Sequence, residues 1–200
     1  MSFLLSLSRL IDALNERIGR TISWALLVTV LICAGNALVR YVFHTSSNAW
    51  LEIQWYLFAA IFLLASGQTL RRNEHVRIDV LAGKLSKRTQ AWIDVLGFLL
   101  FLLPISLLML YYAIPYALDS IESQEMSSNA GGLILWPAKI LIPIGFFLLS
   151  LQGISELIKR IGFLKGLVPA SAFEKQAATP EEEIEAIKNA HRVGAGQENK

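Results

Sequence analysis

Apolar residues dominate four stretches of this 200-residue chain, at about 21–39, 51–70, 92–112 and 140–157. Each has the roughly 17–25 residues that a helix needs to cross a bilayer. None carries Lys, Arg, Asp or Glu in its central turns; Glu52, Asp94 and Glu156 stand at the ends. A helix of a soluble bundle would show a charged face, and these segments do not. The pattern predicts an all-α integral membrane protein with four transmembrane helices, its membrane domain spanning 21–165.

Residues 2–19 keep a different rhythm. Phe3, Leu4, Leu7, Leu10, Ile11, Leu14 and Ile18 recur at three- and four-residue spacing, while Arg9, Asp12, Glu16 and Arg17 fall elsewhere around the wheel. That spacing predicts an amphipathic helix over 1–20, suited to lie in the cytoplasmic interface. A cytoplasmic extension of span one is the other reading. At the far end, Thr179-Pro180-Glu181-Glu182 forms a capping box with proline at the first helical position. It predicts a short helix at about 180–190 within a cytoplasmic tail, 166–200, whose last residues read as disordered.

Charge then orients the spans. Arg9, Arg17 and Arg20 precede the first span. Arg71, Arg72, Arg77, Lys84, Lys87 and Arg88 lie between the second and third, and Lys159, Arg160 and Lys165 end the fourth. Only Arg40 and Lys139 fall on the other side. The positive-inside rule predicts both termini in the cytoplasm, with 41–50 and 113–136 facing out. Trp24, Trp50, Trp55, Trp92, Tyr111, Tyr112, Tyr116 and Trp136 sit where interfacial belts are expected. Composition agrees: 54% hydrophobic residues and a mean hydropathy of +0.49 exceed what a soluble domain of this size carries. No cleaved signal peptide is expected, since Asp12 and Glu16 precede an apolar run long enough to span.

Nothing in the pattern points to catalysis. Membrane-embedded chemistry needs ionisable groups at bilayer depth, and the span interiors offer only Asn36, Ser66, Gln68, Ser106 and Gln152. Amides and hydroxyls there serve first as interhelical hydrogen bonds. His44, His75 and His191 fall on opposite sides of the membrane, so no two are expected to grip a haem. Cys33 is the only cysteine and reads as a packing residue. There is no glycine-rich phosphate loop and no H-E-x-x-H. Catalytic residues, cofactors, metals and nucleic-acid partners are therefore not expected; the lipid bilayer is.

Three polar clusters remain as candidates for assembly or docking. Arg40, Trp50, Glu52 and Gln54 gather at the outer mouth of the first hairpin, where Arg40 and Glu52 either pair or stand as separate snorkelled charges. Glu74, His75, Arg77 and Asp79 alternate with Val76 and Ile78 at the inner face. Glu125, Asn129 and Trp136 mark a Ser/Asn/Gly-rich loop leading to Pro137, long for a mere connector.

These residues also carry a family likeness. The order R-Y-V-F at 40–43, W-L-E opening span two, E-H-V-R-I-D at 74–79 and W-I-D-V-L-G at 92–97 resembles the small, DctQ-type permease subunit of tripartite ATP-independent periplasmic (TRAP) transporters. The likeness runs from about Ser8 to Lys165. The start S-S-N-A-W-L-E-I-Q-W and the loop E-M-S-S-N-A-G-G-L-I-L-W-P are similar to a branch associated with mannitol/chloroaromatic compounds or keto acids. Where many relatives have two adjacent acids, this chain has Glu52-Ile53, followed by Gln54.

The resemblance implies a multi-pass protein of the bacterial inner membrane with two protein partners. One is a large permease subunit holding the substrate and sodium sites; the other is a periplasmic solute-binding protein that delivers an organic acid. The small subunit is then a non-catalytic scaffold. Two rival readings of the residues stay open: a membrane anchor for a redox enzyme, and an autonomous small channel or exporter.

Overall fold

The computed structural model describes residues 2–45, 47–72 and 85–169. Among them, the long elements are all helical. α1 runs Ser2–Phe43 and α2 Asn48–Arg71. α3, Lys87–Gly97, passes through a π-turn, Phe98–Leu102, into α4, Leu103–Glu122. The short α5, Trp136–Lys139, leads to α6, Leu141–Leu164. Four helical stretches are long and apolar enough to cross a membrane: Phe3–Phe43, Asn48–Arg71, Lys87–Glu122 and Trp136–Leu164. Each contains one of the spans expected from the sequence.

The interruptions follow from proline. Pro104 has no N–H, and its ring would strike the carbonyl four residues back. The helix responds by widening one turn, and the Leu103 N–H reaches back to Phe98 O instead. Pro143 likewise cannot donate to Lys139, and the ladder breaks at Ile140, between α5 and α6. No proline lies between Phe3 and Phe43, so the amphipathic segment and span one form one unbroken helix. Its 42 residues rise about 63 Å, roughly twice the hydrocarbon thickness of a bilayer.

α6 is the hub, packing against α1, α2, α3 and α4. What it buries is small or polar: Gly145, Ser150, Gln152, Gly153, Ser155, Glu156 and Gly162 lie among its buried residues. The largest side chains fully buried anywhere in the described residues are Gln152, Asn15 and Thr29. Large apolar groups such as Trp24, Phe62, Phe101 and Tyr111 point outward. Within lipid, apolar burial gives little drive to associate. Close approach of small residues and interhelical hydrogen bonds hold helices together instead.

The α1–α2 contact shows how close the approach is. Asn15 packs on Gly67, and Gln68 packs on Gly19; a Cβ at Gly67 would lie 2.3 Å from Asn15 Oδ1 and one at Gly19 2.0 Å from Gln68 Oε1. Each helix supplies one glycine and one amide. The lock therefore runs both ways.

Candidate functional site

At one end of the bundle, the chain leaves α4 through a Schellman turn. Glu125 N–H donates to Ser120 O at 3.2 Å and Gln124 N–H to Ile121 O at 3.3 Å, with Gln124 in the left-handed region at φ 49°. Residues 125–135 then fold into a small hairpin. Ser127 N–H donates to Leu133 O at 2.9 Å, Leu135 N–H to Glu125 O at 2.8 Å, and Gly132 N–H closes on Asn129 O at 2.9 Å.

Three residues of α2, four apart on one face, hold this hairpin. Asn48 Nδ2 donates to Ala130 O at 2.9 Å, and Tyr56 OH donates to Ile134 O at 2.9 Å. Between them Glu52, only 2% exposed, accepts from Leu133 N–H at 2.6 Å, from Asn129 Nδ2 at 2.9 Å and from the Ser127 hydroxyl. A carboxylate with three donors is satisfied without a cation. Lys139 grips the far edge, pairing with Glu125 and lying 4.2 Å from the Tyr116 ring centre. That ammonium holds the Glu125 carboxyl below the usual carboxylate range.

Some expected neighbours do not meet. Arg40 is exposed at the last turn of α1 and forms no ion pair among the described residues, so Glu52 meets the hairpin donors rather than Arg40. Trp50 is half exposed. Gln54 is buried but donates to Trp50 O of its own helix at 3.0 Å. Trp136, half-buried, opens α5. Glu52 and Asn129 are thus brought together, with Glu125 anchored beside them. Glu74, His75, Arg77 and Asp79 lie outside the described residues, as does the expected 180–190 helix.

The other end holds a network of charged and polar side chains from α1, α2, α3 and α6. Glu16 receives Arg71 Nη1 at 2.5 Å and Arg72 Nη2 at 2.7 Å. Asp12 receives Lys159 Nζ at 3.1 Å, the Ser155 hydroxyl at 2.7 Å and Gln152 Nε2 at 2.8 Å. Lys159 also pairs with Glu156, and the hydroxyls of Ser8 and Ser155 lie 2.7 Å apart. Arg160, 2% exposed, meets Asp94 Oδ2 at 2.9 Å and so ties α6 to α3. Glu52, Glu156 and Arg160 are buried at the span ends. They tolerate burial because each has a partner.

Ser8, Asp12, Asn15 and Glu16 of the N-terminal segment therefore face the bundle, while Arg9, Arg17 and Arg20 stay exposed. A signal for this was present: Ser8, Asp12, Asn15 and Glu16 on α1, and Gln152, Ser155, Glu156 and Lys159 on α6, each repeat at three- and four-residue steps. Two such stripes are complementary. Of the in-span polar residues, Ser150 donates to Ser106 at 3.0 Å and Gln152 bonds Asn15, whereas Ser66 turns back to its own helix. Among the described residues, no group of His, Cys, Asp and Glu is placed to hold a metal.

Residues 28–162 match the family of tripartite ATP-independent periplasmic transporters, DctQ component. The chain belongs to this family. It is thus a small membrane subunit of a TRAP transporter, a multi-pass protein of the inner membrane whose family works with a large permease and a binding protein. No curated protein and no solved structure matches it. The matched range of this DctQ component includes Glu52, the hairpin, Arg71 and Lys159. Asp12 and Glu16, which complete the second network, precede it.

Proposed function

We propose that this DctQ component is a non-catalytic scaffold for the large permease subunit of a sodium-driven importer of organic acids. Its 125–135 hairpin contributes to docking the periplasmic binding protein. The supporting observation is where the polar groups go. Glu52 is spent on the subunit's own hairpin, and Asp12 and Glu16 on its own α2 and α6, while large apolar side chains face outward. A unit braced in this way offers a partner a stiff apolar wall and one ordered polar loop. The end bearing Arg71, Arg72, Lys159 and Arg160 is placed in the cytoplasm with both termini, and the hairpin in the periplasm, by the positive-inside rule.

Reconstitution tests this reading. Proteoliposomes holding this chain together with the large subunit, with binding protein outside, are expected to take up an organic acid under an inward sodium gradient. Vesicles holding this chain alone are expected to take up none. Flux through this chain alone would overturn the scaffold role, and so would full sodium-driven uptake by the large subunit without it.

A further inference from the structure

The first half of α1 has three faces. At about 100° per residue, Ser8, Ile11, Asn15 and Gly19 fall within about 80° of one another, and all are buried on the bundle. Phe3, Leu7, Leu10 and Leu14 fall within about 60° and are exposed, Phe3 at 77% and Leu10 at 67%. Beside this apolar strip, Arg9, Arg17 and Arg20 fall within about 80° of one another, again all exposed.

An exposed apolar strip continuous with the outward side of span one belongs among acyl chains rather than in water. Arginines alongside it can extend their stems over that strip and lift their guanidinium groups to the headgroup layer. The guanidinium fork matches two phosphate oxygens at once. The stripe also keeps its charge. Glu16, the nearest acid, is turned inward onto Arg71 and Arg72, and it touches Arg20 only at 3.3 Å, with that side chain 75% exposed. Among the described residues Arg9 reaches only the Ser6 hydroxyl, at 3.2 Å. Arg17 forms no side-chain hydrogen bond or ion pair among the described residues.

We propose that Arg9, Arg17 and Arg20 form a seat for the phosphate headgroups of anionic phospholipids, with Phe3, Leu10 and Leu14 lying among the acyl chains. The bundle holds one face of this half-helix and the lipid the other two. A helix about twice the bilayer thickness is thereby accommodated, running obliquely through the headgroup layer rather than projecting into water. The charge complementarity selects anionic over zwitterionic lipid.

Thermal unfolding of the full-length protein in detergent tests this. Phosphatidylglycerol, phosphatidylcholine or inorganic phosphate is added separately. Phosphatidylglycerol is expected to raise the midpoint, and the other two not to. The triple variant R9Q/R17Q/R20Q should lose at least about tenfold in its preference for the anionic lipid, and R9K/R17K/R20K should keep most of it. The variant K87Q/R88Q/K165Q, which removes charge at the same end but off the stripe, should respond as the parent does. An equal response to phosphatidylcholine, or to phosphate alone, overturns the proposal. So does an unchanged response in R9Q/R17Q/R20Q, or an equal loss in K87Q/R88Q/K165Q. If the triple variant does not fold, R17Q alone is measured: partial loss supports the seat and an unchanged response overturns it.

Discussion

Asn15 Nδ2 donates to Gln152 Oε1 at 2.9 Å, joining the first and last long helices across 137 positions of sequence. Both side chains are fully buried. Gln152 in turn donates to Asp12 at 2.8 Å and to Glu156 at 3.2 Å, so one amide links the polar seam to the charged network. Gln152→Leu should therefore cost about 2 kcal/mol, since three groups lose a partner where water cannot replace it. A double-mutant cycle with Asn15→Leu should return a coupling of about 0.6–1.7 kcal/mol. Reversible unfolding in mixed micelles measures both; a coupling of zero would show that the two helices are held elsewhere.

The glycine lock makes a sharper prediction. Gly67→Ala on α2 puts a methyl 2.3 Å from Asn15 Oδ1, whereas Gly35, on α1, has nothing within 4 Å of where its Cβ would be. Helix propensity favours alanine at both sites by about 1 kcal/mol. Overpacking should outweigh that at Gly67, giving a net loss of about 1–2 kcal/mol, while Gly35→Ala should be neutral or stabilising. Combining Gly67→Ala with Asn15→Ala should recover part of the loss, because the clashing amide is gone.

The four crossings were legible in the sequence because twenty-odd apolar residues without a charge leave few alternatives. The facing of α1 was harder. Periodicity places Asp12 and Glu16 on a polar face, but it does not say whether water or another helix meets that face; the answer lies in Lys159 and Arg71, far along the chain. Glu52 misled for the same reason. Arg40 is its nearest basic residue by hairpin logic, yet Leu133 N–H and Asn129 lie closer in space, and backbone donors leave no trace in composition. Pro104 and Pro143 mark where a helical ladder loses a donor, but not that the turn before Pro104 widens into a π-turn.

Asp12 and Lys159 form a pair whose side chains are 16% and 12% exposed, mostly out of water. Asp12→Ala should cost about 3 kcal/mol, chiefly through the charge left behind on Lys159. Glu156 stays within reach of that ammonium and should soften the loss. Lys159→Met, by contrast, leaves two carboxylates without their common partner and should cost more than Asp12→Ala. Matched unfolding curves order the two variants; the reverse order would mean that Arg71, not Lys159, supports Asp12.

Glu52→Gln keeps the shape of the side chain and removes its charge. The hydrogen bond from Leu133 N–H loses its ionic assistance, and one face of the amide presents a donor to the Ser127 and Asn129 donors. A loss of local stability is expected, seen as at least tenfold faster hydrogen exchange at Leu133. Exchange along α6 should be unchanged, since among the described residues the hydrogen bonds to Glu52 come from the hairpin. Uniform acceleration through the protein would show instead that Glu52 supports the whole bundle.

The hairpin's other anchor should respond to acid. Lys139 holds the Glu125 carboxyl below its ordinary range, so the folded hairpin binds this proton less readily than the unfolded chain does. The stabilisation from this pair is then fully present above the ordinary carboxylate pKa of about 4.3, and it disappears as pH falls through the lower folded value. Protection of the Leu135 N–H, which donates to Glu125 O, should stay flat from about pH 8 to about pH 5 and fall in more acid solution. Lys139→Gln removes the pair at every pH, so its protection should start lower and vary little. A fall in the parent protein between about pH 8 and pH 6, where only a histidine-like group titrates, would rule out Glu125 as the anchor.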